Sequence, residues 1–409
     1  MNAELSIIKA LKIGKVPLIG ATRLCVGRDG EVAEFGRILD FVADGGFETR
    51  FLRGDYGSGK TFMCAVLREL AFSRNYAVSV VNLSREVPFG RRDLVLGEIV
   101  RGLRTPGSGA SCALPELIER WFAKYDPGTP LDENPALREA IARIANADAG
   151  MGVGLRSYYG AYCDGNDLLM DGALSWLCGE TIEADVRKAL RLVGKLTPDA
   201  AFRRLRSIVA LLKDGGAPGL VVLVDEAEAI YRLAQAPQRL AAYTAIREII
   251  DIGDVEFPSA FFLFAGTAEL FENEFRGIAS YSALYQRIRS QQVSSQRDLR
   301  QPIIRLEELG GEALLQISRR VREIHGHAYD YDAGGRFGDA ELQQFMTAAA
   351  TKFGDIRSKP RGYLKALVDA LDARQQDLDV AAVLEQSGDH VRRIEHADAT
   401  LDDVVLAEV

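Results

Sequence analysis

Eight consecutive residues, Gly54-Asp55-Tyr56-Gly57-Ser58-Gly59-Lys60-Thr61, satisfy G-x-x-x-x-G-K-S/T at every fixed position. Glycines at this spacing let a backbone curl round a phosphate with no Cβ in the way, so that successive N–H groups converge on its oxygens. A helix that begins at the lysine adds its partial positive charge to the same anion. The Lys60 ammonium would then reach the terminal phosphates, and the Thr61 hydroxyl would ligate Mg2+. Phe62 follows on the first helical turn. The plain alternative is a glycine turn ahead of an ordinary helix.

A second chemical group closes the apolar run Leu220-Val221-Val222-Leu223-Val224 with Asp225-Glu226. Asp225 would hold Mg2+, directly or through water, and Glu226 would orient and deprotonate an attacking water. An acid ending a strand is also a common helix cap, which is the competing explanation for Asp225. Glu228, two residues on, is expected to face solvent or a neighbouring helix.

The elements that must carry these groups follow from periodicity. Apolar residues three and four apart predict a helix over Glu31–Val42 and another over Lys60–Ser73. Thr49–Arg53, Tyr76–Leu83, Gly219–Asp225, Ala260–Gly266 and, more weakly, Pro302–Leu306 read as strands, several apolar enough to be covered on both faces. Strand, loop, helix, strand at this pitch is a βαβ unit. Residues 91–212 have helical spacing and no strand-like run, and more than a hundred such residues are too many for an idle loop. The expected layout is residues 1–90 and 213–306 as the two parts of an α/β core, 91–212 as a helical insertion, 307–373 as a helical lid and 374–409 as a loose tail or docked helix.

With these motifs in hand the chain resembles the AAA+ P-loop ATPases, particularly their origin-recognition-like branch. FLRGDYGSGKTF corresponds to the Walker A segment, VLVDEAE to Walker B, and the strand ending Phe264-Ala265-Gly266-Thr267 precedes a helical C-terminal region. The fold so implied is an α/β parallel-sheet AAA+ core with a large helical insertion and a C-terminal helical lid. The resemblance also implies that Val26-Gly27-Arg28 lines an adenine pocket and that Thr267 is a polar sensor between the acids and the γ-phosphate. Arg287 or Arg289, with Arg287 preferred, would be an arginine finger acting on a neighbouring subunit, and Arg361 after Pro360 a second sensor in the lid. Plainer roles stand beside these: Thr267 as a helix cap, Arg287 and Arg289 as surface arginines, Arg361 as a helix-start residue. More narrowly, FLRGDYGSGKTF, VNLSREVPFGRRDLVLGEIVRGL and VLVDEAE resemble the ATP-binding proteins of bacterial BREX phage-defence systems, over a span from about Lys15 to Leu371. This implies a cytoplasmic ATPase that takes ATP and Mg2+ and works as a homo-oligomer, with a hexameric ring as one arrangement. It would act beside other defence proteins such as a helicase, with DNA as a further partner. The residues after Ala373 are too few for the winged-helix domain of some origin-recognition-like relatives. A nucleotide-gated adaptor with little turnover is the competing function; a P-loop kinase is disfavoured, because no acceptor site is evident and Asp225-Glu226 suits water activation.

Composition narrows the field further. Acidic residues outnumber basic ones 58 to 50, for a net charge of -8, which argues against nucleic-acid binding through bulk charge. Local contact stays open through Arg91-Arg92, Arg203-Arg204-Arg206 and Arg319-Arg320-Arg322, or through Tyr158, Tyr159 and Tyr162 beside Arg156, as stacking platforms for bases. Solvated helix faces and a small aromatic core are the respective alternatives. Five scattered cysteines exclude a disulfide framework and a zinc ribbon, and His325 and His327 lack a partner cluster for a metal. No signal-peptide pattern and no run of 18 apolar residues is present, so neither a secreted nor a membrane-spanning chain is expected.

Overall fold

The computed structural model describes residues 3–385 apart from 109–111, 126–127, 193–195, 290–297 and the single positions 359, 381 and 383. The expectation for the tail beyond residue 385 lies outside the described residues. Among those described, six strands form one sheet: β1 Phe47–Arg53, β2 Ala77–Asn82, β3 Leu103–Arg104, β4 Leu220–Asp225, β5 Ala260–Gly266 and β6 Ile303–Arg305. Their spatial order is β3-β2-β4-β5-β1-β6, and every neighbouring pair is parallel except β2 with β3. The mixed α/β architecture with a mostly parallel sheet is compatible with a P-loop core.

Alternation along β4 and β5 divides the core into two layers. Val221, Leu223, Phe261 and Leu263 point to one face, against Phe35, Ile38 and Leu39 of the Asp29–Ala43 helix and Met63, Val66 and Leu67 of the Lys60–Ser73 helix. Val222, Val224, Phe262 and Phe264 point to the other, against Ile99 of Arg92–Arg101, Ile208 of Pro198–Asp214 and Ile246 of Ala236–Glu256. Every residue of both strands is buried, which is why they read as unbroken apolar runs rather than alternating ones.

The insertion is not an appendage. Helices Leu114–Phe122, Pro135–Ala145, Ala149–Cys163 and Asp167–Leu177 share one continuous apolar cluster with this second sheet face, through Trp121, Ile141, Tyr159 and Leu177. Residues 91–212 also contain a strand, contrary to the strand-free reading. Leu103–Arg104 pairs antiparallel with Ser79 and Val78, and two residues are too few to leave a period in the sequence. The C-terminal helices Gly311–Tyr329, Asp339–Phe353 and Pro360–Gln375 form a third cluster, which also takes Ile7, Ile8 and Leu11 of the first helix, Ala3–Lys12. Lys12 forms an ion pair with Asp372, so the first and last described long helices are tied together.

One close approach tests the packing. A Cβ on Gly253, in the Ala236–Glu256 helix, would stand 1.9 Å from Cε1 of Phe47 on β1, and that ring is hemmed by Phe257 and Phe262. Helix propensity alone predicts that Gly253→Ala stabilises by about 1 kcal/mol. The clash predicts the opposite, a loss of about 1–3 kcal/mol in urea unfolding; a variant as stable as the parent would contradict this packing.

Candidate functional site

In a parallel sheet all strand C-termini meet at one edge, and here that edge collects the reactive groups. β1 runs into the glycine loop, β4 into Asp225-Glu226 and β5 into Gly266-Thr267. The register fixes their relative heights. Arg53 pairs with Gly266 and Asn82 with Asp225, Gly54 N–H donates to the Gly266 carbonyl at 3.2 Å, and Ala227 N–H to the Ala265 carbonyl at 2.9 Å. β5 lies between β1 and β4, so Thr267 stands between the loop and the acids, which are two strand spacings, roughly 10 Å, apart.

The loop has the backbone its glycines permit. Gly57 and Gly59 take φ of 80° and 99°, left-handed values that a side chain disfavours. Gly54 is required for a different reason: a Cβ there would lie 2.3 Å from Ser58 Oγ. Lys60 opens the Lys60–Ser73 helix, is buried, and donates from Nζ to the carbonyls of Gly54 at 2.9 Å and Asp55 at 3.2 Å. Its ammonium lies 5.2 Å from the centre of the Tyr56 ring. Thr61 is exposed on the first turn beside the half-buried Phe62, whereas Asp55 and Tyr56 are exposed at the loop tip. Ser58 Oγ is buried without a partner.

Asp225 is buried, and its Oδ1 accepts from Glu226 N–H at 3.0 Å. Glu226 itself is exposed and has φ of 53°, a left-handed conformation that costs a residue with a side chain roughly 1 kcal/mol or more. That bend turns its carboxylate out of the strand and toward solvent at the edge. Thr267 is buried and precedes the Ala268–Glu272 helix, but its hydroxyl makes no capping bond to that helix.

Glu228 departs from expectation. It is 4% exposed, not solvent-facing, and its Oε2 has no hydrogen-bond partner. Burial raises its carboxyl above the usual range, against the opposing pull of the Lys60 ammonium. Arg232, one turn further on, donates to the Tyr56 hydroxyl, and its guanidinium lies 5.6 Å from the Tyr56 ring centre. Both residues were open to detection as the third and seventh positions after Asp225, but nothing in the sequence says that the turn there folds inward.

The remaining candidates are held by other segments of the chain. Val26-Gly27-Arg28 forms a seam with the C-terminal helices: Val26 packs in their cluster, and a Cβ on Gly27 would meet Ala313 Cβ at 3.2 Å. Arg28 is buried, paired with Glu31 at 3.2 Å and donating to the Glu307 carbonyl. Phe62 touches both this cluster and the sheet's first face. Arg287 is exposed and held by Asp251, with Nη2 to Oδ2 at 2.9 Å. Arg289 is exposed just past the same helix, and Arg361 is exposed and donates to the Gly14 carbonyl.

A phosphate-bearing ligand with a hard cation fits the loop edge on this structure's own terms. A Cβ at Gly54 would meet the Ser58 side chain, the cation Lys60 is buried beside the loop, and two buried polar atoms, Ser58 Oγ and Glu228 Oε2, lack partners. Thr61 and Asp225 supply oxygen donors of the kind Mg2+ takes.

Most of the nucleic-acid candidates have other duties, although Arg156 and Arg203 are exposed. Tyr158 and Tyr159 are buried, and each stacks on Phe122, so they are core rather than base platforms; Tyr162 alone of the three is exposed. Arg204 is buried against Asp148 and over Trp176. Arg91 pairs with Asp93, Arg92 with Glu248, Arg206 with Glu256, and both Arg319 and Arg322 with Asp339, while Arg320 donates to the Cys25 carbonyl. His325 is likewise internal, bonded to Asp372 and Tyr331, and no cluster of three or more His, Cys, Asp or Glu placed to hold a metal occurs among the described residues. Because Asp148 neutralises the buried Arg204, Asp148→Asn, which keeps an oxygen to cap the Ala149–Cys163 helix, should lower unfolding free energy by about 3–5 kcal/mol. A surface arginine pair would show almost no change in the same denaturation experiment.

No helix among the described residues is long and apolar enough to cross a membrane. Comparison with curated proteins finds no match. A family model described as BREX system ATP-binding protein BrxC/D matches residues 2–387, nearly the whole chain. Membership carries with it an ATP-binding role and other defence-system components as partners. On that match the chain belongs to the BREX system ATP-binding protein BrxC/D family.

Proposed function

We propose that this protein is an AAA+ ATPase that hydrolyses ATP to ADP and phosphate with Mg2+. It works as a cytoplasmic homo-oligomer and couples turnover to conformational change in a DNA-linked BREX complex. One observation carries the reading: Lys60, Thr61, Asp225, Glu226 and Thr267 emerge from three adjacent strands at one sheet edge. In this reading Gly54–Gly59 wraps the phosphates with its N–H groups, and Lys60 leaves the Gly54 and Asp55 carbonyls to meet them. Thr61 and Asp225 hold Mg2+, which when bound offsets phosphate charge. Glu226 takes the proton of the attacking water, and its outward, exposed carboxylate suits that task. Thr267 has an uncommitted hydroxyl with which to orient that water. Val26, Gly27 and Arg28, with Phe62, form the wall of the adenine pocket between core and lid.

Arg287 supports a trans role only through assembly. Within one chain it is held by Asp251, so a neighbouring subunit must compete for it before it can stabilise charge on the γ-phosphate. Arg361 in the lid would need a similar release from Gly14. The same tethering favours a second reading, a nucleotide-gated adaptor in which ATP binding recruits a partner and turnover is slight. DNA contact in either case comes through a partner or an assembled ring, since the clustered arginines are largely engaged inside the chain.

Glu226→Gln should leave ATP binding intact and cut turnover roughly 10²–10⁴-fold. Equal, measurable turnover in parent and variant would remove the assignment of Glu226 as the base; negligible turnover in both, with an ATP-dependent change in elution volume, would establish the adaptor. Arg287→Ala should lower the rate per protomer roughly a thousandfold at concentrations where the parent assembles, and change nothing at dilutions where it is monomeric. A parent rate independent of protein concentration rules out a finger in trans.

A further inference from the structure

Glu228 sits where the turn after Asp225-Glu226 enters the one-turn helix Ala229–Arg232. A carboxylate oxygen buried without a donor is destabilising, and such orphans in a folded protein call for an explanation. Three charged groups act on it: Lys60 from the loop helix, Asp225 from the end of β4, and Arg232 from its own helix. The first two are those that the ATPase reading assigns to phosphate and metal. Glu228, buried with its Oε2 unpartnered, therefore lies among the groups of that site, although it is neither the strand-ending acid nor the exposed one.

The Glu228 backbone N–H acts on its own carboxylate, and the other donors of the neighbourhood are turned to other acceptors. Lys60 Nζ is shared by two loop carbonyls, the Glu226 N–H is taken by Asp225, and Arg232 is turned to Tyr56. A hard divalent cation held by Thr61 and Asp225 would bring donors of its own, because such ions keep several waters in their coordination shell. Carboxylates one step beyond the direct ligands orient those waters. Asp225 repels the Glu228 charge and the Lys60 ammonium attracts it, and a divalent cation beside both acids would add to that attraction.

Resting on the ATPase site assigned above, we propose that Glu228 is a positioning residue of the divalent-cation site, its Oε2 accepting a hydrogen bond from a metal-bound water. It acts through that water and not on the phosphate, which separates it from Glu226. This role has a signature that a fold-stabilising acid lacks. Removing Glu228 should stabilise the metal-free protein, because a buried unpaired carboxylate disappears, and should weaken metal binding at the same time.

The test is a Mn2+ titration of the full chain in saturating ADP, followed by the electron paramagnetic resonance signal of free Mn2+, with a thermal melt of each protein in chelator. Glu228→Gln and Glu228→Leu should each weaken Mn2+ binding roughly tenfold, leave ADP binding in chelator unchanged, and raise the melting temperature in chelator. Unchanged Mn2+ affinity, whichever way the melting temperature moves, overturns the proposal. Should neither variant fold, Glu228→Asp retracts the oxygen by one methylene and must still weaken Mn2+ binding. Asp225→Asn in the same titration separates the two levels. If it weakens Mn2+ and the Glu228 variants do not, only the role of Glu228 fails; if it also leaves Mn2+ binding unchanged, the metal site itself is misassigned.

Discussion

Backbone hydrogen bonds that hold β5 between β1 and β4 set the geometry of the whole loop edge. Each strand delivers one group at its C-terminal end, and the ladder fixes where those ends stand. Phe51 pairs with Phe264, Arg53 with Gly266, and Val224 with Phe264 on the other side. A slip of one residue would turn every inward side chain of β5 to the opposite face. The two faces hold it in place, because Phe264 stacks on Phe51 and meets Phe89 edge-on while Phe261 packs toward Phe35. A large apolar core and a small polar site are thus one constraint seen from two ends.

At that edge the chain retains features that a fold chosen for stability alone would discard. Glu226 is left-handed, Glu228 is a buried acid with an idle oxygen, Lys60 is a buried cation satisfied by carbonyls, and Ser58 Oγ has no partner. Strain, buried charge and unmet polar atoms gather at functional sites because they are useful there and costly anywhere else. Elsewhere buried charge is neutralised at once, as in Arg28–Glu31 and Arg204–Asp148. Unpartnered buried atoms such as Thr105 Oγ1 and Ser207 Oγ occur elsewhere too; this edge differs in that strain, a buried acid and a buried cation coincide there.

The insertion shows the limits of linear reading. The helices of residues 91–212 are legible from their period. Residue type alone leaves the tyrosines open to a core or to nucleic acid, since a ring that stacks on a base stacks as well on Phe122. The strand Leu103–Arg104 was invisible, because pairing to β2 rather than local propensity makes two residues a strand.

By itself the sequence determined what is local: the glycine loop, whose φ values and missing Cβ atoms are properties of residue type, the unbroken apolar runs of β4 and β5, and the helix that begins at Lys60. Tertiary structure alone decided what depends on distant neighbours. It put Glu228 inside with Lys60, bound Arg287 to Asp251 and Arg361 to Gly14, drew Ala3–Lys12 against the last helices, and made Tyr158 and Tyr159 core. Burial and charge pairing are sums over segments far apart in the chain, so no window of sequence contains them.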